Sequence, residues 1–173
     1  MPCLQILYLS SHSPRQAVRY KGLILVGDSG GNITFFNCEE LADKIGERGL
    51  IERIDEGAIN TLALFDKDTV YAGGDSGVLI KIVWKDEEAL KLTKTQISTC
   101  GITKIRIRGG RVWVLTIDQR ISVYNADGDF LKAFYTQVAD PADFDFESAS
   151  KICVVGKGMQ TISVELPEAI AVA

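Results

Sequence analysis

Two clusters of charged residues and one set of recurring aspartates carry whatever chemistry this sequence could perform. Lys104, Arg106 and Arg108 fall on alternating positions, and Arg111 follows the Gly109-Gly110 turn. In a strand, alternation puts the first three side chains on one face. An ammonium and guanidinium groups gathered there suit a phosphate backbone, so these four residues are the candidate RNA-contact patch. The plain alternative is a solvated strand face beside acidic loops such as Asp86-Glu87-Glu88. Asp140, Asp143, Asp145 and Glu147 could offer oxygen ligands to a hard cation. No glycine-punctuated loop surrounds them, however, and Asp143 and Asp145 alternate with Phe144 and Phe146. They read as a strand with apolar anchors, and no metal is expected. Asp28, Asp75 and Asp118 each open a short polar stretch between two apolar runs. Aspartate favours such places because its carboxylate bonds the backbone just ahead of it, so all three are turn formers. Gly156 and Gly158 are assigned the same structural role in the last copy, and Gly27, Gly73 and Gly74 are also read as turn or bulge positions.

Several reaction classes lack the residues they need. His12 is the only histidine, which disfavours Ser-His-Asp, Cys-His and multi-histidine metal chemistry. Cys3, Cys38, Cys100 and Cys153 form no CxxC pair, so zinc ribbons and disulfide scaffolds are not expected. No glycine lies in a GxGxxG or GxxxxGK context that would cradle a phosphate, so no cofactor is expected. The reading is of a protein that is not an enzyme. With 19 Lys and Arg against 23 Asp and Glu, the net charge of −4 gives no bulk attraction to nucleic acid. No apolar run approaches the ~20 residues that span a bilayer, and the start lacks the pattern of a signal peptide. Reduced thiols and a cytoplasmic location, without a membrane partner, follow as expectations.

The elements that hold these residues read as strands almost throughout. The 173 residues are 46% hydrophobic and 24% charged, an ordered globular composition. In Thr103–Arg108, Ile105 and Ile107 point one way and the basic residues the other, a period of two. Arg111–Leu115 and Ile121–Tyr124 continue in β-branched and aromatic residues. Only Glu39–Lys44 looks helical, and Gly46 and Gly49 stop it after at most a turn or two.

This pattern recurs. Gly22–Phe36, Thr69–Ile82 and Arg111–Tyr124 each read strand, tight turn, strand, and Lys151–Val164 is a weaker fourth copy. The turn aspartates stand 47 and then 43 residues apart (28 to 75, 75 to 118). That matches the ~40–45-residue period of four-stranded propeller blades of WD type. Inner strands are expected at Ala58–Leu64, Ile102–Ile107 and Ala142–Phe146, and outer ones at Leu50–Ile54, Leu90–Ile97 and Phe130–Tyr135. Trp84, Trp113, Tyr71 and Tyr124 are assigned to the core between blades.

The expected fold is therefore an all-β propeller of WD-repeat type with about four degenerate four-stranded blades. The blades are placed at approximately 1–56, 57–100, 101–139 and 140–166, with a tail at 167–173. Six to eight blades are more usual in a closed ring. Four imply part of a larger propeller, or a ring completed by another polypeptide.

Three segments, in order, resemble one WD-repeat family. Thr116–Tyr124 contains the Asp118-Gln119-Arg120 turn after a Gly101-Ile102-Thr103 start. Val138-Ala139-Asp140-Pro141-Ala142-Asp143 follows, and then Val155-Gly156-Lys157-Gly158-Met159-Gln160. Together they look like the final blades of the large WD-repeat partner of the tRNA wobble-nucleotide 2′-O-methyltransferase. The similarity covers roughly residues 57–166 and is strongest over 100–160. It implies a non-catalytic regulatory subunit that holds the methyltransferase catalytic subunit and presents the tRNA anticodon loop to it. Methyl transfer and S-adenosylmethionine would then belong to the partner. The rival readings are a generic WD-repeat interaction platform (ubiquitin-ligase adaptor, trafficking or ribosome assembly) and an enzyme using the propeller's central channel.

Overall fold

The computed structural model describes residues 12–20, 22–37, 50–85, 89–158 and 160–166. The helical turn expected at Glu39–Lys44, the loop Asp86–Glu88, the tail 167–173, Met159, Cys3, Cys38 and the side chain of Trp84 lie outside the described residues.

Among the described residues there are only strands, turns and irregular chain, grouped in four antiparallel sheets. Blade 1 holds β1 (Pro14–Tyr20), β2 (Leu23–Asp28), β3 (Asn32–Asn37) and β4 (Leu50–Arg53). Blade 2 holds β5 (Ile59–Leu64), β6 (Thr69–Gly74), β7 (Val78–Lys85) and β8 (Ala89–Gln96). Blade 3 holds β9 (Ile102–Arg108), β10 (Arg111–Thr116), β11 (Arg120–Tyr124) and β12 (Phe130–Tyr135). Blade 4 has β13 (Pro141–Phe146), β14 (Lys151–Gly156) and β15 (Thr161–Glu165). Each sheet runs in chain order, and the first strands β1, β5, β9 and β13 are neighbours from one blade to the next. The architecture is a partial β-propeller.

Backbone bonds repeat with the blades. The carbonyls of Ser13, Ala58, Gly101 and Asp140 accept from the amides of Ser29, Asp75, Ile117 and Lys157 at 2.9 to 3.0 Å. Each bond ties the chain entering a blade to that blade's central turn. The carbonyls of Gly31, Gly77 and Gln119 accept from Ile54, Ile97 and Thr136, tying the chain that leaves the outer strand to the same turn. All four inner junctions also carry a register shift: at Pro14/Gln16, Ile59/Thr61, Leu115/Thr116 and Pro141/Asp143. A bulge there bends the entering strand into the blade's twist.

The core lies between sheets. Leu25, Ile33 and Phe35 of blade 1 meet Ile59, Leu62, Ala72 and Ile80 of blade 2. Tyr71 and Leu79 of blade 2 meet Ile105, Val112, Val114 and Tyr124 of blade 3. Trp113, Leu115, Ile121 and Val123 of blade 3 meet Phe144, Ile152 and Val154 of blade 4. Each sheet is too thin to bury both its faces, so stability comes from nearest-neighbour stacking.

Pro14–Tyr20 forms the inner strand of blade 1 although its sequence, PRQAVRY, lacks strict apolar alternation; its partner β2 imposes the extended conformation. Blade 4 has three strands among the described residues, not four. Gly27 and Gly73 lie inside β2 and β6 at bulges, opposite the register shifts at Pro14/Gln16 and Ile59/Thr61. A Cβ on Gly73 would come within 2.8 Å of Ile102, and one on Gly27 within 2.6 Å of Ile59, so the next blade's isoleucine requires the missing side chain.

Candidate functional site

The two charged clusters meet at the boundary between blades 3 and 4. Strand pairing sets Arg106 opposite Trp113 and Lys104 opposite Leu115, on the side that faces blade 4. Lys104 Nζ lies 3.2 Å from Asp143 Oδ2, and Arg106 Nη2 lies 3.1 Å from Asp143 Oδ1 and 4.0 Å from Asp145 Oδ2. Arg106 Nε donates to the Phe144 carbonyl at 2.9 Å. The Arg108 guanidinium stacks 4.6 Å above the Phe146 ring, which makes an edge contact with Trp113 at 5.0 Å. Arg111 begins β10, directly opposite Arg108 in the register. The structure therefore brings Lys104, Arg106 and Arg108 onto the acidic and aromatic residues of β13, forming a clasp across the boundary. Asp143 is central to it, and Phe144 N also donates to Asp143 Oδ1 at 2.7 Å.

At each junction a side chain of one inner strand bonds the backbone of the same position on the next, which is Leu62, Ile105 or Phe144. Gln16 Nε2 of β1 donates to the Leu62 carbonyl of β5 at 2.9 Å. Thr61 Oγ1 of β5 accepts from the Ile105 amide of β9 at 3.0 Å, in a buried setting. Sequence reasoning missed this series because glutamine, threonine and arginine share no obvious motif. The signal available was positional: each bond joins residues about one repeat apart, 46, 44 and 38 positions.

Asp28, Asp75 and Asp118 all border the turn between the second and third strands, but at successive positions. The turn bonds run from Gly31 to Asp28, Gly77 to Gly74 and Gln119 to Thr116, amide to carbonyl. The accepting residue of the bond is thus Asp28 itself in blade 1. Asp75 is one residue further on in blade 2, and Asp118 two further on in blade 3. The truly equivalent residues are Gly31, Gly77 and Gln119, with φ of 79°, 71° and 66°. Buried Asp28 accepts from Gly30 N at 2.8 Å and from Asn32 N at 3.0 Å. Asp75 accepts from Asn60 Nδ2 at 2.7 Å, and Asp118 from the Thr116 hydroxyl. In blade 4, Gly156 N donates to the Gln160 carbonyl at 2.9 Å, and a Cβ there would press on the Ala139 carbonyl. A Cβ on Gly158 would meet nothing.

Asp145 touches the clasp at its edge, 4.0 Å from Arg106 Nη2, and Glu147 lies outside it. Glu147 accepts from Ser163 Oγ at 2.7 Å and pairs with Lys151 Nζ at 3.2 Å, and its carboxyl is held below the usual range first by the Ser163 bond. Burial pushes the neighbouring Cys153 thiol up, which disfavours the thiolate. Among the described residues no group of three or more His, Cys, Asp or Glu side chains could hold a metal ion. Tyr71, fully buried between blades 2 and 3, donates its hydroxyl to the Ala126 carbonyl at 2.9 Å. Burial, helped by Asp127 and Asp66, pushes its phenol up to about 12.

The rim differs between blades. The outer strand β12 exposes Phe130 (60%), Leu131 (49%) and Tyr135 (67%), and among the described residues it pairs only with β11. In β8, by contrast, Lys91, Thr93, Lys94, Thr95 and Gln96 make up most of the exposed positions.

No protein-family model matches the sequence, and no curated protein matches it. Solved structures do. The WD40 repeats of RRP9 superpose with a TM-score of 0.69 at 12% identity, over 92% of this chain and 53% of that one. The WD40 propeller domain of Doa1 superposes at 0.72 and 12% identity, over 92% and 53%. A computationally designed protein, Ika4, is matched at 0.74 and 15% identity over 96% of this chain and 100% of its own. The chain thus spans about half the length of the two natural propellers. Repeated entry bonds, stacked antiparallel sheets and these superpositions agree: the chain is an arc of four degenerate WD-type propeller blades.

Proposed function

We propose that this chain is a non-catalytic scaffold that docks a protein partner on the rim of blade 3. The exposed edge strand β12 carries the reading. Phe130, Leu131 and Tyr135 lie within six residues, with one lysine among them and an unpaired backbone edge. A clustered apolar edge of this kind is a site for partner recognition, either by side-chain burial or by an added strand. Replacing Phe130, Leu131 and Tyr135 together by serine tests it in cells that make the protein. The expected result is loss of the wild-type chain's co-purifying protein, with an unchanged circular dichroism spectrum. Retention of that protein by the triple variant refutes the docking site.

The sharper form of this reading takes the partner to be a tRNA wobble-nucleotide 2′-O-methyltransferase and reaches tRNA through the complex. Its support is the order of the Asp118-Gln119-Arg120, Val138-Ala139-Asp140 and Gly156-Lys157-Gly158 segments. A scaffold of this kind accelerates methyl transfer by positioning alone, which is worth several kcal/mol when reacting groups are aligned. Of Lys104, Arg106, Arg108 and Arg111, the first three serve the blade 3–4 boundary first, and a phosphate reaching Lys104 or Arg106 competes with Asp143. Neutral replacements at the four positions then lower the salt dependence of RNA binding. Mass spectrometry of tRNA from a deletion strain decides: loss of ribose methylation at the first anticodon nucleotide supports the methyltransferase partner. Unaltered tRNA leaves the generic platform.

A further inference from the structure

We propose that β12 is an interface between two copies of this chain: it pairs antiparallel with β12 of a second copy, centred on Ala133. The proposal rests on β12 being the docking rim, and it names what docks there. The backbone is set for an added strand. The Thr136 amide donates to the Gln119 carbonyl at 2.8 Å, in the register that pairs Phe134 with Ile121 and Lys132 with Val123. Backbone groups alternate in direction along an antiparallel strand. Those of Lys132, Phe134 and Thr136 therefore point to β11, and those of Leu131, Ala133 and Tyr135 point away from it. Among the described residues nothing pairs with this outward edge. The side chains are sorted by face as well. Ile121 and Val123 face blade 4, so Phe134 and Lys132 opposite them do too, and Phe134 packs on that core. Tyr124 faces blade 2 and meets Phe130 edge-on at 5.8 Å, and Leu131, Ala133 and Tyr135 follow on that side. The exposed apolar side chains Phe130, Leu131 and Tyr135 thus share one face.

One register makes β12 complementary to itself. A two-fold axis at Ala133 sets that residue against its counterpart, Leu131 against Tyr135 and Lys132 against Phe134 of the other copy. The methyl groups at the centre let the backbones approach, Leu131 and Tyr135 cover each other, and each ammonium lies beside a ring. Asp129 falls opposite Gln137, so no like charges oppose one another across the pair. The next register one way puts Lys132 directly against Lys132, which is destabilising. The next register the other way puts Leu131 against Gln137, whose φ of 58° takes the chain out of the extended conformation. The corresponding strand of blade 2, β8, is guarded: Lys91 and Lys94 are exposed on its two faces, a common protection of a free edge. The single cation of β12, Lys132, is half-buried and on the face away from its exposed apolar residues. A contact of this kind uses the same patch on both copies and closes at two.

Size-exclusion chromatography with light scattering tests the pairing at about 0.1 mM protein, because a contact between two short strands is small and weak. The wild-type chain is expected at twice the 18.9 kDa of one copy. One variant carries Leu131→Glu and Tyr135→Glu, and a second carries Leu131→Glu and Tyr135→Lys. Both positions are exposed, and circular dichroism checks that the variants fold. The first is expected as a monomer, because the two-fold axis sets like charges against each other at both ends of the pair. The second is expected as a dimer, because the same register then pairs opposite charges. Ala133→Pro removes an N–H that β11 does not use, and it is expected as a monomer too. A monomeric wild type overturns the proposal. So does a first or a proline variant that dimerises as the wild type does, or a second variant that stays monomeric. In each of those cases the serine replacements at Phe130, Leu131 and Tyr135 still decide the docking rim. Loss of the co-purifying protein then assigns β12 to a different protein, and its retention removes the rim itself.

Discussion

Arg106 holds the backbone of Phe144 from across a blade boundary: its Nε donates to the Phe144 carbonyl at 2.9 Å while its Nη2 contacts the Asp143 carboxylate at 3.1 Å. One side chain thus fixes both the position and the charge of the neighbouring inner strand. A guanidinium does this because its donors form a rigid fork, which an ammonium lacks.

Removing the carboxylate tests the strength of that clasp. Asp143→Asn leaves Lys104 and Arg106 side by side with only Asp145, 4.0 Å from Arg106 Nη2, as a counter-charge. Because Asp143 is 42% exposed, water screens part of the effect, and the expected loss is about 1 kcal/mol. Urea unfolding at low and high salt checks it, with the difference from wild type shrinking as salt rises. A double-mutant cycle with Arg106→Gln should show coupling of similar size, and additive single effects would contradict the clasp.

Gly73 and Gly74 are adjacent and respond differently to a methyl group. Gly73→Ala meets the tip of the Ile102 side chain at 2.8 Å, so a loss of about 1–3 kcal/mol is expected, relieved by adding Ile102→Val. Gly74→Ala collides with the Ala58 carbonyl, which is backbone and cannot retreat. Its loss should be larger, and no change at Ile102 should restore it. Thermal melts of the three variants separate the cases.

Tyr71 makes the fold sensitive to alkali. A phenol whose pKa is raised on folding adds stability that is fully present below its ordinary 10.0 and is lost as the pH rises through about 12. Between these values the unfolded chain ionises first. Tyr71→Phe gives up one hydrogen bond to Ala126, about 1 kcal/mol at neutral pH. It should also flatten the decline in stability between pH 10 and 12. Equal slopes for the two proteins would show that Tyr71 ionises as easily folded as unfolded.

Gln119 occupies a position that glycine fills in blades 1 and 2. Its φ of 66° is strained for a residue with a Cβ. Gln119→Gly should leave the turn bond to Thr116 intact and raise stability by up to about 1 kcal/mol in denaturant titration. Gly77→Ala, in the matching turn of blade 2, should do the reverse, since its Cβ would strike the Ser98 carbonyl.

Strands with strict alternation were legible, and so was the period of the hairpins. Ile105 and Ile107 against Lys104, Arg106 and Arg108 announce a two-sided strand, and β9 is that strand. Tyr71, Trp113 and Tyr124 fill the spaces between blades, as large apolar groups in a thin sheet must. β1 was not legible, because PRQAVRY has little apolar character and is held extended by β2. Nor was the repeat frame correct at residue level. Aspartate can bond backbone from several turn positions, so Asp28, Asp75 and Asp118 look equivalent without being so, and the positive φ of Gly31, Gly77 and Gln119 marks the true register.

By itself, then, the amino-acid order determined what depends on neighbours along the chain: alternation, turn chemistry and the recurrence of a four-stranded unit. Tertiary structure alone decided which charges meet. Asp143 lies a whole repeat beyond Arg106, and only the lateral stacking of β9 against β13 brings their side chains to 3.1 Å. A Coulomb partner at that separation leaves no periodic trace in a sequence, because the distance between the groups is set by how sheets lean on each other and not by the bonds that connect them.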